Sequence, residues 1–143
     1  MATIAAHNPA ATISRAANAM NRAGWALTTL VLLFLTFDAA IKLVALPVVM
    51  ETLAPLGWPT DTGTARMLGV LLVIPVLLYG WPRTAFFGAV LLTAYLGGAV
   101  ATHARIGSPL ATHTLFGVYV GLLMWAGLWL RAPSLRALMP VRR

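Results

Sequence analysis

The sequence predicts an all-α integral membrane protein, a four-helix bundle with a short interfacial helix between its first and second spans. Three observations carry that prediction. Hydrophobic residues fill 60% of the 143 positions, mean hydropathy is +0.86 and only 9% of residues are charged, where a soluble domain carries about 25%. A single domain's length of chain cannot hide that apolar excess in a core of its own. Four apolar runs reach the ~20 residues that a helix needs to cross a hydrocarbon layer roughly 30 Å thick, and none shows the period-2 alternation of a membrane β-barrel. Finally, ten Lys and Arg against three Asp and Glu give a net charge of +7, and the basic residues segregate to one side of the four runs. That pattern reads as a topology signal rather than a nucleic-acid footprint, so no nucleic-acid partner is expected.

Residues 1–23 are Ala-rich and acid-free, with Arg15 and Arg22. They lack the hydrophobic segment of a cleavable signal peptide and read as a cytoplasmic tail; their composition also resembles, weakly, a mitochondrial transit peptide. A single membrane domain follows over residues 24–131. Span one covers about 24–46: it opens on Trp25, stays apolar up to Asp38 and Lys42, and ends before Pro47. The connection from Pro47 to Gly63 is too apolar for a solvated loop. Val48, Val49, Leu53 and Leu56 recur at helical spacing with Glu51 and Thr52 on another side, the pattern of a short amphipathic helix at the membrane surface. Span two covers about 64–81 and contains Pro75, which should kink the helix without stopping it. Gly80, Trp81 and Pro82 make a turn so tight that span three, about 84–104, must run antiparallel to span two. Span four covers about 112–130, and a basic tail, 132–143, closes the chain.

Orientation follows from the basic residues. Arg15, Arg22, Arg83, Arg131, Arg136, Arg142 and Arg143 share one side, against Arg66 and Arg105 on the other. The positive-inside rule then places both termini in the cytoplasm of a multi-pass protein of the bacterial inner membrane.

Few residues inside the apolar mass can carry chemistry. Asp38 and Lys42 stand four apart on one helix face, roughly 20 and 26 Å along the axis from Trp25, in the outer half of the bilayer. A charge there is costly, so the pair reads either as self-neutralising or as a proton- or ligand-binding site. His103 and His113 flank the short outer loop and fall at similar depth. Their chemistry permits interfacial hydrogen bonds, contact with a quinone or proton, or ligation of haem or a metal ion, although two imidazoles with no thiolate make a poor metal set. Tyr95 in span three and Tyr119 in span four want hydrogen-bond partners and suit the lining of a wet cavity. Among small residues, Gly117 and Gly121 form a GxxxG pair, and Gly97 and Gly98 lie in a small-residue stripe of span three. These are candidate packing faces between spans three and four, with self-association through Gly117 and Gly121 as the alternative. Trp125 and Trp129 beside Arg131 read as an aromatic belt. Cysteine is absent, which excludes thiolate metal sites and dithiol redox chemistry, and no nucleotide loop, nucleophile elbow or HExxH segment occurs. No catalytic residue and no metal site is therefore assigned.

From Phe37 onward the chain resembles the DoxX-like family of small four-span bacterial membrane proteins. The resemblance rests on FDAAIKL at the end of span one, on MLGVLLVIPVLLYGWPRTAFFGAVLLTAYLGGAVATHARIGSP, and on WAGLWLRAPSLRALMP. YLGGAVATH, followed ten residues later by His113, is its most specific part. The resemblance implies a four-helix membrane bundle, and some members are associated with quinone-linked respiratory enzymes. Many relatives also carry an acidic residue in span two after the LGV motif, where this chain has Leu71, Leu72 and Val73.

Three functional classes fit these residues. The first is a non-catalytic accessory or ligand-binding bundle for a lipid or quinone. The second is the membrane subunit of a quinone-linked oxidoreductase, which would need a cofactor-bearing respiratory-type partner because the chain has no redox group of its own. The third is a small proton-coupled transporter using Asp38. Membrane lipid is the expected surrounding in all three, and a second copy of the chain is a compatible partner. No resident cofactor is required, with quinone or haem the groups the polar residues could accept.

Overall fold

The computed structural model describes the backbone of residues 9–138 and the side chains of residues 14–138. His7, Arg142 and Arg143 lie outside the described residues. Six α-helices follow one another: α1 (Pro9–Val44), α2 (Pro47–Leu53), α3 (Thr62–Gly80), α4 (Ala85–Arg105), α5 (Phe116–Arg131) and α6 (Pro133–Leu138), with a π-helical turn, Leu110–Thr114, leading into α5. Four helices, Ser14–Val44, Thr62–Gly80, Ala85–Arg105 and Leu110–Arg131, are long and apolar enough to cross a membrane.

Those four pack as a ring in the order α1, α3, α4, α5, each against its two neighbours. Every helix gives the ring one stripe of buried residues at three- or four-residue spacing. The stripes are Thr28, Val31, Leu35 and Ala39 on α1, Leu72, Val76 and Tyr79 on α3, Ala85, Ala89, Leu92 and Leu96 on α4, and Val120, Met124 and Leu128 on α5. Large apolar side chains on the outward faces, such as Leu33, Phe37, Leu77 and Leu122, are exposed, as they must be in a helix that meets lipid.

The boundaries differ from the sequence expectation in instructive places. Helix α1 begins at Pro9 and runs unbroken through the segment taken as a tail, since acid-free, Ala-rich sequence favours helix and contains no stop before Gly24. It ends at Val44, three residues before Pro47. Ala45 adopts φ 58°, with Ala45 N–H donating to Lys42 O and Leu46 N–H to Ile41 O, the two bonds of a Schellman cap. Pro47 then opens α2 at its first turn rather than closing α1. In α2, Val49 and Leu53 are buried against Ala45 and Ala65, while Val48 is exposed. Pro75 sits inside a continuous α3. Asp61 caps that helix, its carboxylate accepting from Thr64 N–H at 2.9 Å and Thr64 Oγ1–H at 2.8 Å. In the basic C-terminal segment, Pro133–Leu138 form α6, with Leu135 buried.

Candidate functional site

The polar residues of the spans separate into two groups at opposite ends of the bundle. At the end carrying the α4–α5 connection, Asp38 and Lys42 occupy α1 one turn apart, both half-buried, and Lys42 Nζ donates to Asp38 Oδ1. Tyr95 on α4 is half-buried. Its hydroxyl makes no hydrogen bond with a described residue. Helices α1 and α4 run parallel at opposite corners of the ring, with Asp38 near the end of α1 and Tyr95 at the middle of α4.

His103 and His113 face each other about two turns beyond Tyr95, with ring centroids 5.9 Å apart and planes inclined at 58°. Local chain chemistry sets this up. Helix α4 ends in a Schellman cap with Gly107 at φ 68°, where Gly107 N–H donates to Ala104 O and Ser108 N–H to His103 O. The cap folds Ser108 back onto the last turn, placing its Oγ 3.0 Å from His103 Nδ1. The next residues form the π-turn, in which Thr114 N–H donates to Pro109 O and Leu115 N–H to Leu110 O. Such widened turns recur at functional sites. Here the turn carries His113 back over α4, with His113 Nδ1 2.8 Å from Thr112 Oγ1. Each imidazole thus has Nδ1 engaged by a hydroxyl. Arg105, at the same end, donates from Nη2 to Leu56 O at 2.7 Å and ties α4 to the segment after α2. Among the described residues, no three His, Cys, Asp or Glu side chains come together as a metal-binding group.

The small residues divide differently from the sequence expectation. Gly117 packs tightly, its missing Cβ position lying 3.0 Å from Leu96 O and from Val100 Cγ2. Gly121 has only Leu96 Cδ1, at an ordinary 3.8 Å. Gly97 and Gly98 face open space and hold no helix against α4, a correction to their expected packing role. Gly97, Gly117 and Gly121 line a shallow, almost wholly apolar groove between α4 and α5. Tyr119 is exposed. Trp125 forms part of the bundle wall: its Nε1–H donates to Thr93 Oγ1 at 2.9 Å, and its ring meets Phe86 edge-on at 5.9 Å.

The second group, at the opposite end, escaped the sequence reading. Tyr79 is fully buried. Its hydroxyl donates to Met124 O at 2.9 Å and lies 3.4 Å from Thr28 Oγ1, joining α3 to α5 and α1. Arg131 donates from Nη2 to Tyr79 O at 3.1 Å, and its guanidinium carbon lies 4.5 Å from the Trp25 ring centroid and 5.3 Å from that of Tyr79. Its Nε is buried without a hydrogen-bond partner, leaving ring faces to stabilise that side of the cation. Three glycines allow the approach: Gly24 meets Arg131 N, Gly127 meets Thr28 N, and Gly88 meets the backbone of Tyr79. Such a centre is built for packing, and that Nε is the one buried side-chain polar atom among the described residues without a hydrogen bond. The one sequence signal was the stripe Leu72–Val76–Tyr79, which carries the apolar face of α3 into the aromatic that precedes the turn.

Compared with known proteins, residues 26–127 match the sequence profile of the DoxX-like family. No curated protein matches the chain, and no solved structure does.

Proposed function

The chain belongs to the DoxX-like family, and from that premise and the geometry we propose that this integral membrane protein is a non-catalytic ligand-binding bundle whose ligand is a lipid-soluble quinone. The observation that supports the reading is the half-buried Tyr95 hydroxyl on α4, unpartnered by described residues, in a bundle whose α1 carries the Asp38–Lys42 pair at membrane depth. A phenol left without a hydrogen bond in an apolar setting is unfavourable by about 1–3 kcal/mol. A quinone carbonyl accepts from Tyr95 and from Lys42, and the hydroxyl of the reduced form donates to Asp38, so the three groups complement both redox states. The apolar faces around them suit an isoprenoid tail. His103 and His113 lie further out, with Nδ1 held by hydroxyls.

The test is titration of a short-chain benzoquinone analogue into the purified protein, followed by calorimetry. Saturable binding at one site per chain is expected, weakened about threefold to tenfold by Tyr95→Phe, the worth of one net hydrogen bond. Absence of saturable binding, or equal affinity in the Tyr95→Phe variant, overturns the reading.

The protein is further proposed to lie in the bacterial inner membrane with both termini in the cytoplasm, supported by the seven basic residues assigned to that side. Since the chain has no cysteine, single cysteines report topology directly. Ser108→Cys should react with an impermeant thiol reagent added to whole cells and Ser134→Cys should not; the reverse pattern inverts the orientation.

A further inference from the structure

A second cavity, of about 210 Å³, lies at the end of the bundle remote from Asp38, between the α3–α4 turn and α6. Its polar rim is Arg83 and Ser134, and its apolar wall includes Phe86, Leu128, Leu135 and Leu138. The other two arginines described near it are committed inward, Arg131 to Tyr79 O and Arg136, through Nη1, to Leu130 O at 2.7 Å. Arg83 is exposed and makes no hydrogen bond or ion pair with a described residue. All three acids of the chain, Asp38, Glu51 and Asp61, fall toward the other end.

We propose that this cavity binds one anionic glycerophospholipid from the leaflet at that end. The phosphodiester sits against the Arg83 guanidinium, whose planar fork matches two phosphate oxygens, with Ser134 Oγ donating a further bond. The acyl chains leave over Phe86 and Leu138, which are 55% and 80% exposed and so continue the apolar wall outward into lipid. Charge selects the lipid class. A zwitterionic headgroup brings an ammonium that no acid at this end can pair, whereas a headgroup such as phosphatidylglycerol leaves the phosphate charge to Arg83 alone. The apolar wall distinguishes a lipid from free phosphate, because inorganic phosphate gains nothing from Leu128 and Leu135. This binding is independent of the quinone reading, since the two sites share no residue.

The experiment is native mass spectrometry of the full-length protein, delipidated in a neutral detergent and titrated with phosphatidylglycerol or phosphatidylcholine of the same acyl chains. The wild type should retain a single phosphatidylglycerol with about fivefold preference over phosphatidylcholine, the weight of one arginine near a membrane surface. Arg83→Gln should lose that preference, Arg83→Lys should keep most of it, and Arg22→Gln, which removes an equal charge at the same end but outside the cavity, should leave it unchanged. The proposal is overturned by equal retention of the two lipids in the wild type, or by Arg22→Gln lowering the preference as far as Arg83→Gln does. Displacement of phosphatidylglycerol by millimolar inorganic phosphate would also overturn it, by showing that the site reads phosphate without the lipid. Equal melting temperatures of the variants in detergent establish that folding is not the cause.

Discussion

Gly88 is where α4 can least accept a side chain. A Cβ built there would lie 2.2 Å from Tyr79 N, 2.6 Å from Tyr79 Cα and 2.7 Å from Leu78 C, all backbone atoms of α3. Backbone cannot rotate aside as a side chain can, so Gly88→Ala forces α3 and α4 apart by about 1.2 Å, the shortfall between 2.2 Å and an ordinary contact at 3.4 Å. Overpacking of that kind costs about 1–3 kcal/mol. The displacement also strains the hydrogen bond from Tyr79 to Met124 O, worth a further ~1 kcal/mol, while alanine returns up to ~1 kcal/mol of helix propensity. The net expectation is a loss of about 1–3 kcal/mol. Gly97→Ala is the matched control: it lies on the same helix, nothing stands within 4 Å of its Cβ position, and only the propensity gain of up to ~1 kcal/mol remains. Reversible unfolding in mixed micelles, followed by circular dichroism as denaturing detergent is raised, measures both. Equal stability of the two variants, or a less stable Gly97→Ala, would refute the assignment of α4's packing face.

Tyr79→Phe keeps the ring and removes the hydroxyl that joins three helices, together with the bond it donates to Met124 O; the same unfolding assay should show a loss of about 1–2 kcal/mol. Asp38→Asn and Lys42→Met each strand an unpaired charge at membrane depth, whereas the double variant strands none. A double-mutant cycle should therefore give a favourable coupling of about 0.5–3 kcal/mol, and strict additivity would mean that the pair contributes nothing. The Asp61 carboxyl is held below the usual carboxylate range, first by the bond from Thr64 N–H and then by that from Thr64 Oγ1. A depressed folded-state pKa means that the capping stability is complete near neutral pH and is lost as pH falls through that lowered value. Melting temperature measured against pH should show an acid-side decline that Asp61→Asn, a good cap with no titration, reduces.

Much of the architecture was readable because hydrocarbon thickness fixes span length and because no soluble alternative accommodates so few charges. The juxtaposition of Asp38 with Lys42, and of His103 with His113, was equally accessible: the first is an i,i+4 pair, and the second follows from two helix ends joined by a short loop. Helix rotation was not. Gly88 and Gly97 are nine residues apart on one helix, which at about 100° per residue puts them on opposite faces. The small-residue stripe through Gly97 and Gly98 therefore marked the open face, and the glycine that holds α4 against α3 passed without notice. Pairwise closeness of backbones, as at Gly24, Gly88 and Gly127, depends on which faces the ring selects, and that choice is tertiary. The extent of α1 was obscured for a different reason, since a charge pattern that assigns residues 9–23 to one side of the membrane does not say whether they are helical.

The two ends of the bundle solve different physical problems. Spans surrounded by lipid gain little from apolar burial against one another, because acyl chains are as apolar as leucine; close backbone approach and interhelical hydrogen bonds have to supply the adhesion. The Tyr79 end does this, with Gly24, Gly88 and Gly127 bringing backbones together and Tyr79 and Arg131 linking three helices. A ligand could enter the buried centre around Tyr79, as distinct from the peripheral cavity beside Arg83, only by breaking contacts that hold the ring closed. The Asp38 end is held differently: Gly69, whose missing Cβ would lie 2.9 Å from Leu43 N, fixes α3 against α1, while an open groove parts α4 from α5 nearby. With one end fixed, small changes in the splay of α4 and α5 at the other are resisted mainly by the Gly117 contact with Leu96 and Val100. Adaptation to a ligand is consequently expected at the Asp38 end. Substitutions at Gly117 should alter ligand affinity there, whereas substitutions at Gly88 should alter stability first.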